Sequence, residues 1–212
     1  MIRPLLLACL AGPAAAEGTP GEFDHYVLAL SWSPAWCALE GEARGSPQCD
    51  EEANGGRGFA WTLHGLWPQH EEGWPIDCPS SFPGPSRRQA EGMADIMGGA
   101  DLALHEWRRH GTCSGLSPGG YFALSRRAFE AARVPDLLAR LPRAAEVPAR
   151  VVEEAFLRED PRLVPDGVTV TCEGGRVAEV RLCLSRDLEP RPCGPDARRD
   201  CSLEDALVEP VP

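Results

Sequence analysis

Residues 61–69 read Trp61-Thr62-Leu63-His64-Gly65-Leu66-Trp67-Pro68-Gln69, and residues 105–113 read His105-Glu106-Trp107-Arg108-Arg109-His110-Gly111-Thr112-Cys113. These two stretches hold three of the five histidines of the chain. At about 100° per residue, a helix through the second stretch gathers His105, Glu106, Arg109 and His110 into an arc of roughly 140°, with Trp107 and Arg108 outside it. Two imidazoles, a carboxylate and a guanidinium then share one face, with His105 over Arg109 and Glu106 over His110 at i, i+4. A guanidinium suits phosphate oxygens in charge and geometry. Imidazole takes and gives a proton near neutral pH, and a neighbouring carboxylate orients it or raises its basicity. Taken alone, either stretch also reads as a charged solvated helix face or as core aromatics. A zinc-helix reading fails on spacing, because H-E-x-x-H would need histidine where Arg109 stands.

Between and around these stretches, short strands and helices alternate without a regular βα period. His25 to Ser31 reads as a buried strand and Phe59 to Leu63 as a second strand running into His64. Arg87 to Met97, Ala100 to His110, Tyr121 to Arg133 and Ala149 to Arg158 carry helical spacing, the first stopped by Gly98-Gly99. Val168 to Cys172 and Val177 to Cys183 alternate around Glu173-Gly174-Gly175, a hairpin signal. Gly41 to Gly58 and Gly73 to Pro85 read as loops. The class is α+β.

With 212 residues, 43% hydrophobic and 25% charged, the chain can bury a core, and wholesale disorder is excluded. Its 22 glycines and 21 prolines argue against a helix bundle or coiled coil. A formal net charge of -11 excludes a general phosphate-coating protein, so any nucleic-acid contact must be a local basic site. All 21 basic residues are arginine. Arg3, the apolar run from Leu5 to Leu10 and Ala14-Ala15-Ala16 read as a signal peptide over residues 1–16. A lipoprotein reading at Cys9 is weakened by its short leader. The run is too short to span a bilayer. A single domain over 17–201 and a loose acidic tail over 202–212 are expected. The remaining cysteines, Cys37, Cys49, Cys78, Cys113, Cys172, Cys183, Cys193 and Cys201, are even in number, as disulfides in an exported chain require, and spacing leaves their connectivity open.

Together the two stretches resemble the active-site segments of the T2 ribonuclease family, W-T-x-H-G-L-W-P at Trp61 to Pro68 and H-E-W-x-K-H-G-T-C at His105 to Cys113. Val27 to Cys37 is similar to the family's first strand and following turn, and the resemblance covers roughly Phe23 to Cys183. It implies an α+β fold in which an antiparallel sheet packs with several helices under disulfide staples. It also implies a secreted endoribonuclease that cuts single-stranded RNA without metal or cofactor, by transesterification through 2′,3′-cyclic phosphate to 3′-phosphate ends. By resemblance, His110 is the general base, His64 the general acid, Glu106 and Arg109 polarise the phosphoryl group, His105 holds the phosphate, and Trp67 stacks a base with little base preference. RNA is then the partner, DNA is excluded for want of a 2′-OH, and a periplasmic or extracellular monomer that avoids membranes is expected. Arg109 departs from the family's lysine, with the charge kept and the reach changed. The family also implies Cys78–Cys113 and Cys172–Cys183, leaving Cys37–Cys49 and Cys193–Cys201 as local pairs. The rival readings are a non-catalytic exported RNA- or partner-binding protein on the same scaffold, and a metal-dependent hydrolase.

Overall fold

The structure, a computed structural model, describes residues 18–50 and 58–212; the expected signal segment and Cys9 lie outside the described residues. Its elements are β1 (His25–Trp32), α1 (Ser33–Trp36), β2 (Trp61–Gln69), α2 (Arg87–Glu91), α3 (Ala94–Met97), α4 (Ala100–Arg109), α5 (Pro118–Ala131), α6 (Asp136–Ala139), β3 (Ala145–Val147), α7 (Ala149–Glu159), β4 (Val168–Glu173), β5 (Arg176–Leu184) and β6 (Ala206–Val208). Where one helix was expected over Arg87 to Met97 there are two short ones. Ser86 and Gln89 close a capping box on α2, and Gly98, at φ 73°, ends α3 in a left-handed turn that glycine adopts without cost. Ser117 caps α5 by accepting from the Gly120 amide at 3.3 Å.

One sheet organises these elements in the order β2-β1-β5-β6-β3, with β4 also pairing with β5. All pairs are antiparallel except the short β5–β6 contact. Side chains alternate between the sheet's two faces. Leu28, Leu30, Leu63, Leu66, Val180 and Leu182 fall on one face and belong to the main core with Ile96, Tyr121, Val152 and Phe156 of the helices. Val27 and Cys183, on the opposite face, form a separate small cluster with Cys193, against which Trp67 packs. The α+β class is therefore built as helices over one sheet face, with a small separate cluster on the other.

Two expectations are corrected. Disulfides join Cys37 to Cys49, Cys78 to Cys113, Cys172 to Cys201 and Cys183 to Cys193, in place of the expected Cys172–Cys183 and Cys193–Cys201. The hairpin register explains the exchange: Cys172 lies opposite Val177, six residues short of Cys183. Six strand residues span about 20 Å, beyond the roughly 7 Å that a disulfide bridges between Cα atoms. Residues 202–212 are not a loose tail throughout, since β6 pairs with β3 and buries Ala206 and Val208 completely. Trp32 Nε1 donates to the Glu209 carbonyl at 3.1 Å, and Arg176 Nε pairs with Glu209 at 2.5 Å. The acidic residues around the short Ala206-Leu207-Val208 run masked its strand character.

Candidate active site

The bulge in β2 builds the site. Leu30 of β1 pairs with Leu63 and Ala29 with Gly65, so His64 is an extra residue with no partner. A bulge re-aims the side chain at the extra position. It lets Leu63 and Leu66 both enter the core while His64, Gly65 and Trp67 share the opposite face. α4 packs against β2 from the end of the sheet, burying Trp107 against Tyr121 and bringing Glu106 over Gly65. Tyr121 Oη donates to the Leu66 carbonyl at 3.1 Å and fixes the strand under the site.

Trp67 is the hub. Its ring centroid lies 5.2 Å from that of His64, nearly edge-on, and 5.2 Å from that of His110, tilted by 31°. Its Nε1 donates to Glu106 Oε2 at 2.7 Å, and the Arg181 guanidinium sits 5.2 Å from the ring centroid. Glu106 Oε1 is 3.7 Å from His64 Nε2. A cleft of about 230 Å³ opens beside this group, lined by Trp67, Trp74, His110, Arg181, Asp196 and Arg199 among others.

The surroundings push the two histidines in opposite directions. Burial lowers His110 to about 3, with help from the charges of His64, Arg109 and His105. Burial also works against the His64 cation, but the hydrogen bond to Glu179 and the charges of Glu179 and Glu106 outweigh it and hold His64 above its ordinary value. Glu106, almost wholly buried, is pushed up to about 7 by desolvation, against the pull of His64 and the Trp67 hydrogen bond. Desolvation would raise the Glu179 carboxyl, but His64 and Arg181 hold it down at about 2.

Of the residues singled out in the sequence, His64, Trp67, Glu106 and His110 converge directly. His110 is the residue that ends α4, its amide donating to the Glu106 carbonyl at 2.9 Å, so the helix stops one residue before the expected end. His105 and Arg109 stand exposed on α4. Arg109 pairs with Asp77, whose own amide donates to the Arg109 carbonyl at 3.0 Å. The Cys78–Cys113 disulfide holds that segment against the end of α4. Sequence reasoning missed Glu179, Arg181, Asp77 and Trp74. The alternation of Val177 to Cys183 placed Glu179 and Arg181 on a common polar face, but nothing in the sequence said that β1 would bring that face to His64.

Two imidazoles that their surroundings push in opposite directions thus flank a buried carboxyl on an α+β scaffold. Comparison with known proteins identifies the scaffold. Residues 23–193 match the ribonuclease T2 family, and the chain belongs to that family. Among curated relatives, it is 37% identical to a ribonuclease of Aeromonas hydrophila over 68% of this chain and 63% of that protein. It is 34% identical to a probable ribonuclease of Haemophilus influenzae over 53% of this chain and 44% of that protein. The chain thus spans less than two thirds of the length of both relatives. Among solved structures, an RNase-related protein from Calystegia sepium superposes with a TM-score of 0.66 at 20% identity, covering 90% of this chain and 98% of its own. RNase NT in complex with 5′-AMP superposes at 0.63 and 19% identity, covering 88% and 99%.

Proposed function

We propose that this chain is an exported endoribonuclease that cleaves single-stranded RNA by transesterification through a 2′,3′-cyclic phosphate to 3′-phosphate ends, with little base preference. The observation that carries the reading is the convergence of His64 and His110, each with its ring centroid 5.2 Å from that of Trp67, with Glu106 accepting from the same indole. RNA brings its own nucleophile, so the protein must only move two protons and stabilise a charged phosphorane.

His110, held neutral down to strongly acidic pH, takes the 2′-OH proton as O2′ bonds to phosphorus. The P–O5′ bond breaks and O5′ takes a proton from His64. Water then opens the cyclic ester with the two roles reversed. Matched acid and base are found where surroundings push two titratable groups apart. Glu106, protonated below about pH 7, faces a phosphate as a neutral hydrogen-bond donor rather than as a repelling charge. His105 and Arg109 supply the cationic rim, the phosphate competing with Asp77 for the exposed guanidinium. A base stacks in the cleft between Trp67 and Trp74; stacking accepts any base. A fold neighbour holding 5′-AMP supports a nucleotide ligand.

Four disulfides support export to periplasm or exterior. Among the described residues no helix is long and apolar enough to cross a membrane. His110→Ala tests the enzyme reading: turnover falls by at least about a hundredfold while RNA affinity stays within a few-fold. Wild-type protein that binds RNA without cutting it would favour the binding-protein reading.

A further inference from the structure

His64 is held from behind as well as from the substrate side. Its Nδ1 is hydrogen-bonded to Glu179 Oε1, and Glu179 is buried. The other carboxylate oxygen of Glu179 accepts two hydrogen bonds from Arg181, at 3.0 Å from Nε and 2.7 Å from Nη2. The same guanidinium lies over Trp67. The sheet makes this chain of contacts possible. Glu179 and Arg181 alternate onto one face of β5, opposite Ser31 and Ala29 of β1. These two small side chains leave room for the bulged His64 of β2 to reach across β1, and Ser31 Oγ donates to the same Glu179 oxygen at 3.5 Å.

We propose that Glu179, clamped by Arg181, is a positioning residue for His64: it accepts the Nδ1 proton, fixes the imidazole tautomer and ring plane, and leaves Nε2 as the nitrogen that serves the leaving oxygen. A histidine whose Nδ1–H is tied to a carboxylate presents Nε2 in one orientation. Glu179 is buried and meets His64 at Nδ1, so its proposed effect passes through His64. The clamp also joins the acid to the stacking platform, since Arg181 bonds Glu179 and covers Trp67. The charged and titratable groups facing His64 are Glu179 and Arg181 from β5, Glu106 from α4 and His110 at its end. Loss of the Glu179 charge removes the strongest support for the His64 cation.

The inference rests on the ribonuclease reading for its catalytic consequence but not for its structural one, and two readouts keep these apart. In Glu179→Gln, kcat on a dinucleotide substrate falls by at least about tenfold with KM within about threefold, and the alkaline limb of the pH–kcat profile moves to lower pH. Independently of activity, the His64 imidazole titrates at lower pH by NMR. Glu179→Asp, which keeps the charge, restores the alkaline limb toward wild type. If Glu179→Gln does not accumulate folded, the His64 titration of Glu179→Asp decides: retention above the ordinary histidine value supports the clamp, and a fall below it overturns it. An unchanged pH profile and unchanged His64 titration in Glu179→Gln would overturn the inference while leaving the ribonuclease reading intact. An RNA-inert wild type whose His64 titration still drops in Glu179→Gln would do the reverse.

Discussion

Gly65→Ala is the smallest change that reaches the centre of the site. A Cβ at Gly65 would stand 2.1 Å from Glu106 Oε2, 2.3 Å from Trp67 Nε1 and 2.8 Å from Trp67 Cδ1. These distances lie below any real Cβ contact, so the carboxyl of Glu106 must retreat by about 1 Å and the indole must turn, as core overpacking demands. The methyl also occupies the space flanked by both ends of the 2.7 Å Trp67–Glu106 hydrogen bond, which cannot survive. Overpacking costs about 1–3 kcal/mol and a hydrogen bond to a carboxylate about 1.5–3 kcal/mol, so a loss of roughly 2.5–6 kcal/mol is expected. For a chain of this size that lowers Tm by roughly 5–25 °C. On the proposed function, a displacement of about 1 Å in a group placed to face the phosphate costs on the order of a hundredfold in turnover. Thermal unfolding and dinucleotide kinetics measure both. A Gly65→Ala protein with wild-type Tm and wild-type kcat would refute the close approach of α4 to β2 on which the site depends.

Stability should peak near neutral pH. His25, buried with neither ring nitrogen hydrogen-bonded within the described residues, is held below its ordinary value by desolvation and nearby Arg191, and His110 is lowered to about 3. Their folded pKa values lie below the unfolded 6.5, so stability drops as pH falls below about 6.5, by up to about 1.4 kcal/mol per pH unit per group. Glu106 is raised from 4.5 to about 7 and His64 is also raised, so their contributions are lost as pH climbs through those folded values. Urea titrations across pH check this, and a stability maximum below about pH 4 would contradict it. Arg109→Lys should keep kcat within about tenfold, whereas Arg109→Ala should lose about 10²–10³ by single-turnover kinetics. Removing the Cys172–Cys201 bridge, which spans 29 residues, should cost about 3–4 kcal/mol in urea unfolding. Non-reducing peptide maps should show that pair, and a Cys172–Cys183 peptide would contradict the hairpin register.

Much of this architecture was legible where periodicity was long. The helix through Ala100 to His110, the amphipathic Ala149 to Arg158 and the hairpin around Gly174-Gly175 have enough turns or alternations to declare themselves, and the structure places each within a residue or two. β3 and β6, of three residues each, carry too little pattern to stand out, and their stability comes from pairing with each other. The bulge at His64 is invisible in sequence because it depends on the register chosen by β1. The disulfide exchange has the same origin, since register rather than spacing decides which cysteines meet. The candidate site was legible in the residues that two compact motifs carry, His64, Trp67, Glu106 and His110. Glu179 stands more than a hundred residues away in sequence, and only the strand order β2-β1-β5 brings it to His64.

The most direct test of the central claim is digestion of single-stranded RNA by disulfide-intact protein with excess EDTA at about pH 5 and about pH 7.5, with product ends read by mass spectrometry. Cleavage that persists under chelation and yields 2′,3′-cyclic phosphate ends first and 3′-phosphate ends later is the predicted result. Products with 5′-phosphate ends, or cleavage silenced by EDTA, would contradict the proposed acid–base catalysis by His64 and His110.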